Sequence, residues 1–138
     1  MNIPPKIHKL TFSRGMCFGS CPVYTVELSS DGQVLWFGEY YVNVLGRANW
    51  SVPLAQVAEI EQTLHHVRFQ RFAAAYDDSD ITCQPSSQIS VVYLDGATKT
   101  VSHDHGDFSA PEALTLLEDC LDDLMGTAPY VGSTDCTD

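Results

Sequence analysis

The chain of 138 residues carries 18 acidic and seven basic side chains, a net charge of −11, with 44% apolar and 18% charged residues. Those proportions describe one globular domain with its own core; they exclude a disordered chain and argue against nucleic-acid binding, which needs clustered Lys and Arg to neutralise phosphates. The excess charge is confined to one half: residues 1–76 are near neutral, whereas residues 77–138 hold Lys99 alone against thirteen acids.

The first nine residues contain no apolar stretch of signal-peptide length, and no apolar run approaches the ~20 residues of a membrane helix. The expected location is therefore the cytoplasm, or an extracytoplasmic compartment if a leader is removed. Ile7–Ser13 has the spacing of a first strand. The loop Arg14-Gly15-Met16-Cys17-Phe18-Gly19-Ser20-Cys21-Pro22 breaks it. Val23–Leu28 and Val34–Phe37 then flank Asp31-Gly32, a favoured hairpin turn because it tolerates positive φ. With a two-residue loop, Val26 is expected opposite Phe37 and Leu28 opposite Leu35, forming one apolar stripe.

Residues 40–45 read as a further extended segment. Ser51 is the expected cap of a helix with Pro53 in its first turn. Val57, Ile60, Leu64 and Val67 form that helix's apolar stripe, with Glu59, Glu61 and His65 off it and Arg68 and Arg71 near its end. Residues 73–87 read as a long polar loop. A second hairpin pairs Ile89–Leu94 with Thr98–His103 around Asp95-Gly96. A last helix is expected from Ser109, whose Ser-x-x-Glu spacing to Glu112 is a capping box, to Gly126, with Leu114, Leu117, Leu121 and Leu124 as its stripe. The expected fold is α+β: a mainly antiparallel sheet of two Asp-Gly hairpins and an N-terminal strand, with two amphipathic helices on one face. Residues 1–126 form the single domain, and 127–138 read as a flexible tail.

The segment Arg14-Gly-Met-Cys17-Phe-Gly-Ser-Cys21-Pro-Val-Tyr24 resembles the R-x-x-C-F-G-x-C-P-x-Y signature of an uncharacterised bacterial domain-of-unknown-function family, often found in extracytoplasmic and lipid-anchored proteins. The likeness continues through Asp31-Gly32, Thr82-x-x-Pro85, Lys99-Thr100-Val101 and Pro111. Cys83 stands where relatives usually carry Asp. The resemblance implies no activity.

Five cysteines is an odd count, so at least one lacks an intramolecular partner. A Cys-x3-Cys loop containing Gly19 admits three states: a short-range disulfide, half a metal site, or two small buried thiols. Two residues apart on a strand, His103 and His105 share a face, and with Cys17 and Cys21 they would complete a zinc-binding Cys2His2 set, with Asp107 nearby. The alternative is a polar strand end leading into a helix. Tyr40, Tyr41, Trp36, Phe37 and Trp50 gather in the first half, mostly as core. On the last helix Glu118, Asp119, Asp122 and Asp123 form an acidic face, the last two opposing the helix dipole, and are candidate contacts for a partner with a basic surface. Two functions follow. One is a non-catalytic binding module, with the cysteine loop as a structural staple and no cofactor. The other is a thiol-redox or zinc protein using Cys17, Cys21, Cys83, His103 and His105.

Overall fold

Alternation sets the strands. In the computed structural model, which describes residues 6–15, 22–76, 86–104 and 110–131, β1 (Ile7–Arg14), β2 (Val23–Ser29), β3 (Gln33–Tyr40) and β4 (Gly46–Ser51) precede α1 (Leu54–His66) and a 3-10 turn, Phe69–Arg71. β5 (Ala75–Tyr76), β6 (Ser86–Tyr93) and β7 (Thr98–Asp104) then lead to α2 (Glu112–Met125) and the short α3 (Ala128–Val131). The sheet order is β4-β3-β2-β1-β6-β7-β5, antiparallel except where β5 runs parallel to β7. This is the expected α+β fold, with both hairpins flanking the N-terminal strand.

The register arranges the covered face in rows that cross the sheet. Val101, Ile89, Phe12, Val26, Trp36 and Ala48 form one row; Val91, Leu10, Leu28, Val34 and Trp50 form the next. Most of these side chains are fully buried beneath Val57, Ile60 and Leu64 of α1 and Leu114, Leu117 and Leu121 of α2. The hydrophobic effect acting on these two facing layers holds the domain together.

The first hairpin differs from expectation by one residue. Leu28 pairs with Val34 and Val26 with Trp36, so Leu35 and Phe37 face solvent. The loop holds three residues, Ser30-Asp31-Gly32. Gly32 alone has positive φ (+89°), and its N–H donates to Ser29 O at 3.0 Å, while Asp31 Oδ1 accepts from Gln33 N. That is a type I turn closed by a left-handed glycine, and the added residue turns β3 over relative to a two-residue loop. The second hairpin is built the same way around Leu94-Asp95-Gly96, with φ +91° at Gly96.

Several boundaries also move. Ser51 ends β4, so the α1 N-cap is Pro53, without a side-chain hydrogen bond. Glu61 is buried beneath the stripe, accepting from Ile7 N at 2.9 Å. The α2 N-cap is Pro111; Ser109 lies outside the described residues. Residues 127–131 belong to the fold. Tyr130 stacks on Trp50 at 4.0 Å, Thr127 and Val131 are buried, and Val44 N donates to Tyr130 O. An aromatic chain thus runs from Phe12 through Tyr24 and Trp36 to Trp50 and Tyr130.

Candidate functional site: a polar row at the end of the sheet

The last row on the covered face is polar. His103, Ser87, Arg14 and Tyr24 continue the alternation of Val101, Ile89, Phe12 and Val26 and therefore point to the same side. Across from them, Glu118 and Asp122 of α2 are four residues apart on the inward face, in line with Leu114 and Met125.

Asp122 closes a triad with the two signature residues. Arg14 donates to Asp122 Oδ2 from Nη2 at 2.8 Å and from Nε at 3.1 Å, and its Nε also lies 3.0 Å from the Tyr24 hydroxyl. The Tyr24 hydroxyl in turn donates to Asp122 Oδ1 at 2.6 Å, and Thr127 donates to the same oxygen at 2.8 Å. The guanidinium also lies over the Phe12 ring at 5.0 Å. Burial works against the Arg14 charge, yet Asp122 and Tyr24 outweigh it and hold the guanidinium ionised well above its usual range. Burial, and then the Asp122 charge, push the Tyr24 phenol far above the ordinary tyrosine value. The pair is charge-assisted and well satisfied, which is the condition under which a buried ion pair is retained.

Beside it, Glu118 Oε2 accepts from Ser87 Oγ at 2.6 Å and lies 2.8 Å from His103 Nδ1, with all three side chains buried. The carboxylate sits between Ser and His. This is not the order of a nucleophilic triad, where the imidazole lies between hydroxyl and acid.

The acidic face read from the sequence is therefore split. Glu118 is 1% exposed and Asp122 is turned into the triad, so neither belongs to a solvent-facing partner surface; Asp119, 71% exposed, and Asp123 remain outside. Asp119 still approaches Arg14 at 3.5 Å. The unfavourable placement of Asp122 near a helix C-terminus is explained by the cation it meets.

Of the proposed metal set, only His103 is placed; Cys17, Cys21, Cys83, His105 and Asp107 lie outside the described residues. Among the described residues, no three His, Cys, Asp or Glu side chains converge as a metal site. Cys120 is a half-buried free thiol. At this end of the sheet Gly15 N donates to Ser86 O at 2.7 Å and Ser86 pairs with Asp104. Arg14 and Tyr24 both belong to the sequence signature, but the signature does not tell that they close on α2. The signal for both was their phase: each is two residues from a core position, Phe12 or Val26.

Among the described residues, no helix is long and apolar enough to cross a membrane. No curated protein matches the chain. The family model of a domain of unknown function, DUF6438, matches residues 8–125, a span that takes in β1 through α2 and with them the Arg14–Tyr24–Asp122 triad, and the chain belongs to that family.

Proposed function

We propose that the domain is a non-catalytic interaction module in which the cysteine segment serves as a structural staple. The observation behind this reading is the closure of Arg14 and Tyr24 on Asp122. A guanidinium already neutralised by a carboxylate does little to stabilise a neighbouring thiolate, so the signature cation braces the fold rather than activating sulfur. The partner-facing surface is the outward side of α2, where Glu112, Asp119 and Asp123 surround Leu116, which is 60% exposed. An apolar centre with an acidic rim suits a protein of basic surface. The test is titration with a short amphipathic peptide of Lys and Leu. Binding should weaken with salt and fall at least tenfold in the combined variant Leu116→Ser, Asp119→Asn, Asp123→Asn. Equal binding by that variant would remove α2 as the contact surface.

A second reading, a thiol-redox or zinc site, is favoured by one observation. It is His103, whose Nδ1 is held by a carboxylate as in many zinc-ligating histidines. Zinc content and a thiol count before and after reductant separate the two readings. Stoichiometric zinc that disappears in Cys17→Ser supports the second and sinks the first. Metal-free protein that is only less stable as C17A/C21A supports the staple.

A further inference from the structure

A separate feature lies at the other end of α1. The helix stops at His66, and Arg68 takes a left-handed conformation (φ +57°, ψ +54°) that reverses the chain into the 3-10 turn Phe69–Arg71. A non-glycine residue in that region is strained, and such strain persists only where the surroundings enforce it. Here Phe69 is buried and anchors the reversal, with Arg71 N donating to Arg68 O. The result is a concavity of about 620 Å³ floored by Leu64 and Phe69. That volume falls within the roughly 300–1,000 Å³ typical of small-molecule sites.

Its polar lining is cationic in an acidic protein. His65, His66, Arg68 and Arg71 border it, all exposed, together with Gln70 and Tyr93. The one acid on its wall, Glu61, is engaged by Ile7 N at 2.9 Å and by Lys6 at 3.5 Å. Asp95 lies near enough to Tyr93 to influence it. Four of the other five cations are occupied, Lys6 by Glu61, Lys9 by Glu27, Arg14 by Asp122 and Lys99 by the Phe72 carbonyl, and the fifth, Arg47, is exposed on β4, away from this cavity. Among the described residues, Arg68 and Arg71 have neither an ion pair nor a side-chain hydrogen bond. Eighteen acids are present in the chain, yet these two guanidiniums share one cavity whose single lining carboxylate, Glu61, is already bonded to Ile7 N and Lys6.

We propose that this concavity binds a small organic dianion, a dicarboxylate or a phosphomonoester, through Arg68 and Arg71. Guanidinium forks match carboxylate and phosphate oxygens two at a time, and the apolar floor accommodates the carbon skeleton between them. The site is independent of the α2 surface and of the cysteine segment.

Calorimetric titration with succinate, phenyl phosphate and inorganic phosphate, at fixed ionic strength, tests this directly, with neutral succinamide as control. Saturable one-site binding of succinate or phenyl phosphate, and none of succinamide, is the expected result; which of the two binds tighter identifies the anionic group. Arg68→Gly removes the guanidinium while relieving the left-handed backbone, so it should weaken binding at least tenfold without lowering Tm. Arg71→Gln leaves the backbone alone and should weaken binding similarly, so the test stands even if Arg68→Gly perturbs folding. Absence of saturation with all three anions, or unchanged affinity in Arg71→Gln, overturns the proposal.

Discussion

The Tyr24 hydroxyl donates to Asp122 at 2.6 Å across 98 positions of sequence, and the same carboxylate takes two bonds from Arg14. Two strands on either side of the cysteine segment are thereby fastened to one helix. Tyr24 is 1% exposed and stacks on Trp36 at 4.8 Å, so the polar fastening also fixes a member of the aromatic chain.

Removing the carboxylate should therefore do more than delete one bond. Asp122→Ala leaves Arg14 charged and half-buried with only the exposed Asp119 at 3.5 Å as counter-ion, and is expected to cost about 3 kcal/mol in urea unfolding. Adding Arg14→Met removes the stranded charge, so the double variant should lose at least about 1 kcal/mol less than the sum of the single variants. Additive losses would mean that the two side chains stabilise the fold independently.

Alkaline pH probes the same triad. The Tyr24 proton is held by burial and by the adjacent Asp122 charge, and Tyr93 is shifted in the same direction, first by burial. Below the ordinary tyrosine value of about 10, the unfolded and folded chains both keep these protons and the stabilisation is fully present. Above it the unfolded chain releases them while the folded chain does not, so for Tyr24 stability should fall by about 1.4 kcal/mol per pH unit. Ultraviolet titration of phenolate is expected to show Tyr24 ionising only as the protein unfolds, and Tyr93 ionising above the ordinary tyrosine range. Tyr24→Phe should flatten the alkaline limb of the stability curve; an unchanged limb would refute the assignment.

Periodicity made most of the architecture legible. Strands β1, β2, β6 and β7 and both helices carry strong two- or three-to-four-residue spacing. β4 was missed because its inward positions are Ala48 and Trp50, a single large side chain in a strand otherwise of Arg, Asn, Gly and Ser, which gives little alternating signal. The hairpin register failed because Asp-Gly serves two- and three-residue loops alike, and only backbone geometry tells them apart. The acidic face was misread by composition: in the run Leu117-Glu118-Asp119 and Leu121-Asp122-Asp123, each pair of acids straddles the boundary between the inward and outward sides. Spacing of four from Leu114 to Glu118 to Asp122 held the missing information, and the partners awaiting them on other strands, Arg14 for Asp122 and Ser87 and His103 for Glu118, did not lie in the local pattern.

The two like-built turns offer an internal comparison. A Cβ at Gly96 meets nothing within 4 Å, whereas one at Gly32 falls 2.4 Å from the Val52 carbonyl oxygen. Both alanine variants carry the left-handed penalty of about 1 kcal/mol. Gly96→Ala should cost little more than that. Gly32→Ala must also displace backbone at the junction of β4 and α1, breaking the 2.8 Å bond from Val52 N to Gly32 O. Thermal unfolding of the pair should rank Gly32→Ala clearly lower, and equal Tm values would contradict the three-residue geometry.

The C-terminal helix gives the last prediction, because sequence periodicity placed it in a flexible tail. Truncation after Gly126 removes the Tyr130 ring from Trp50, the Thr127 hydroxyl from Asp122, and the two backbone bonds from Asn43 and Val44 to Val131 and Tyr130. These contacts tie residues 127–131 to β4, to α2 and to the β3–β4 connection, so no single one replaces the others. Tyr130→Ala alone, losing a half-buried stacked ring, is expected to cost about 2 kcal/mol. The truncation should cost more, roughly 3–5 kcal/mol by adding the lost hydrogen bonds, which for a chain of this size lowers Tm by about 10 °C or more. Near-ultraviolet circular dichroism should lose the Trp50 signal in both variants. A frayed tail would instead leave Tm and spectrum unchanged on truncation, and because Thr127 bonds Asp122 directly, a destabilised truncation should also weaken the coupling measured between Asp122 and Arg14.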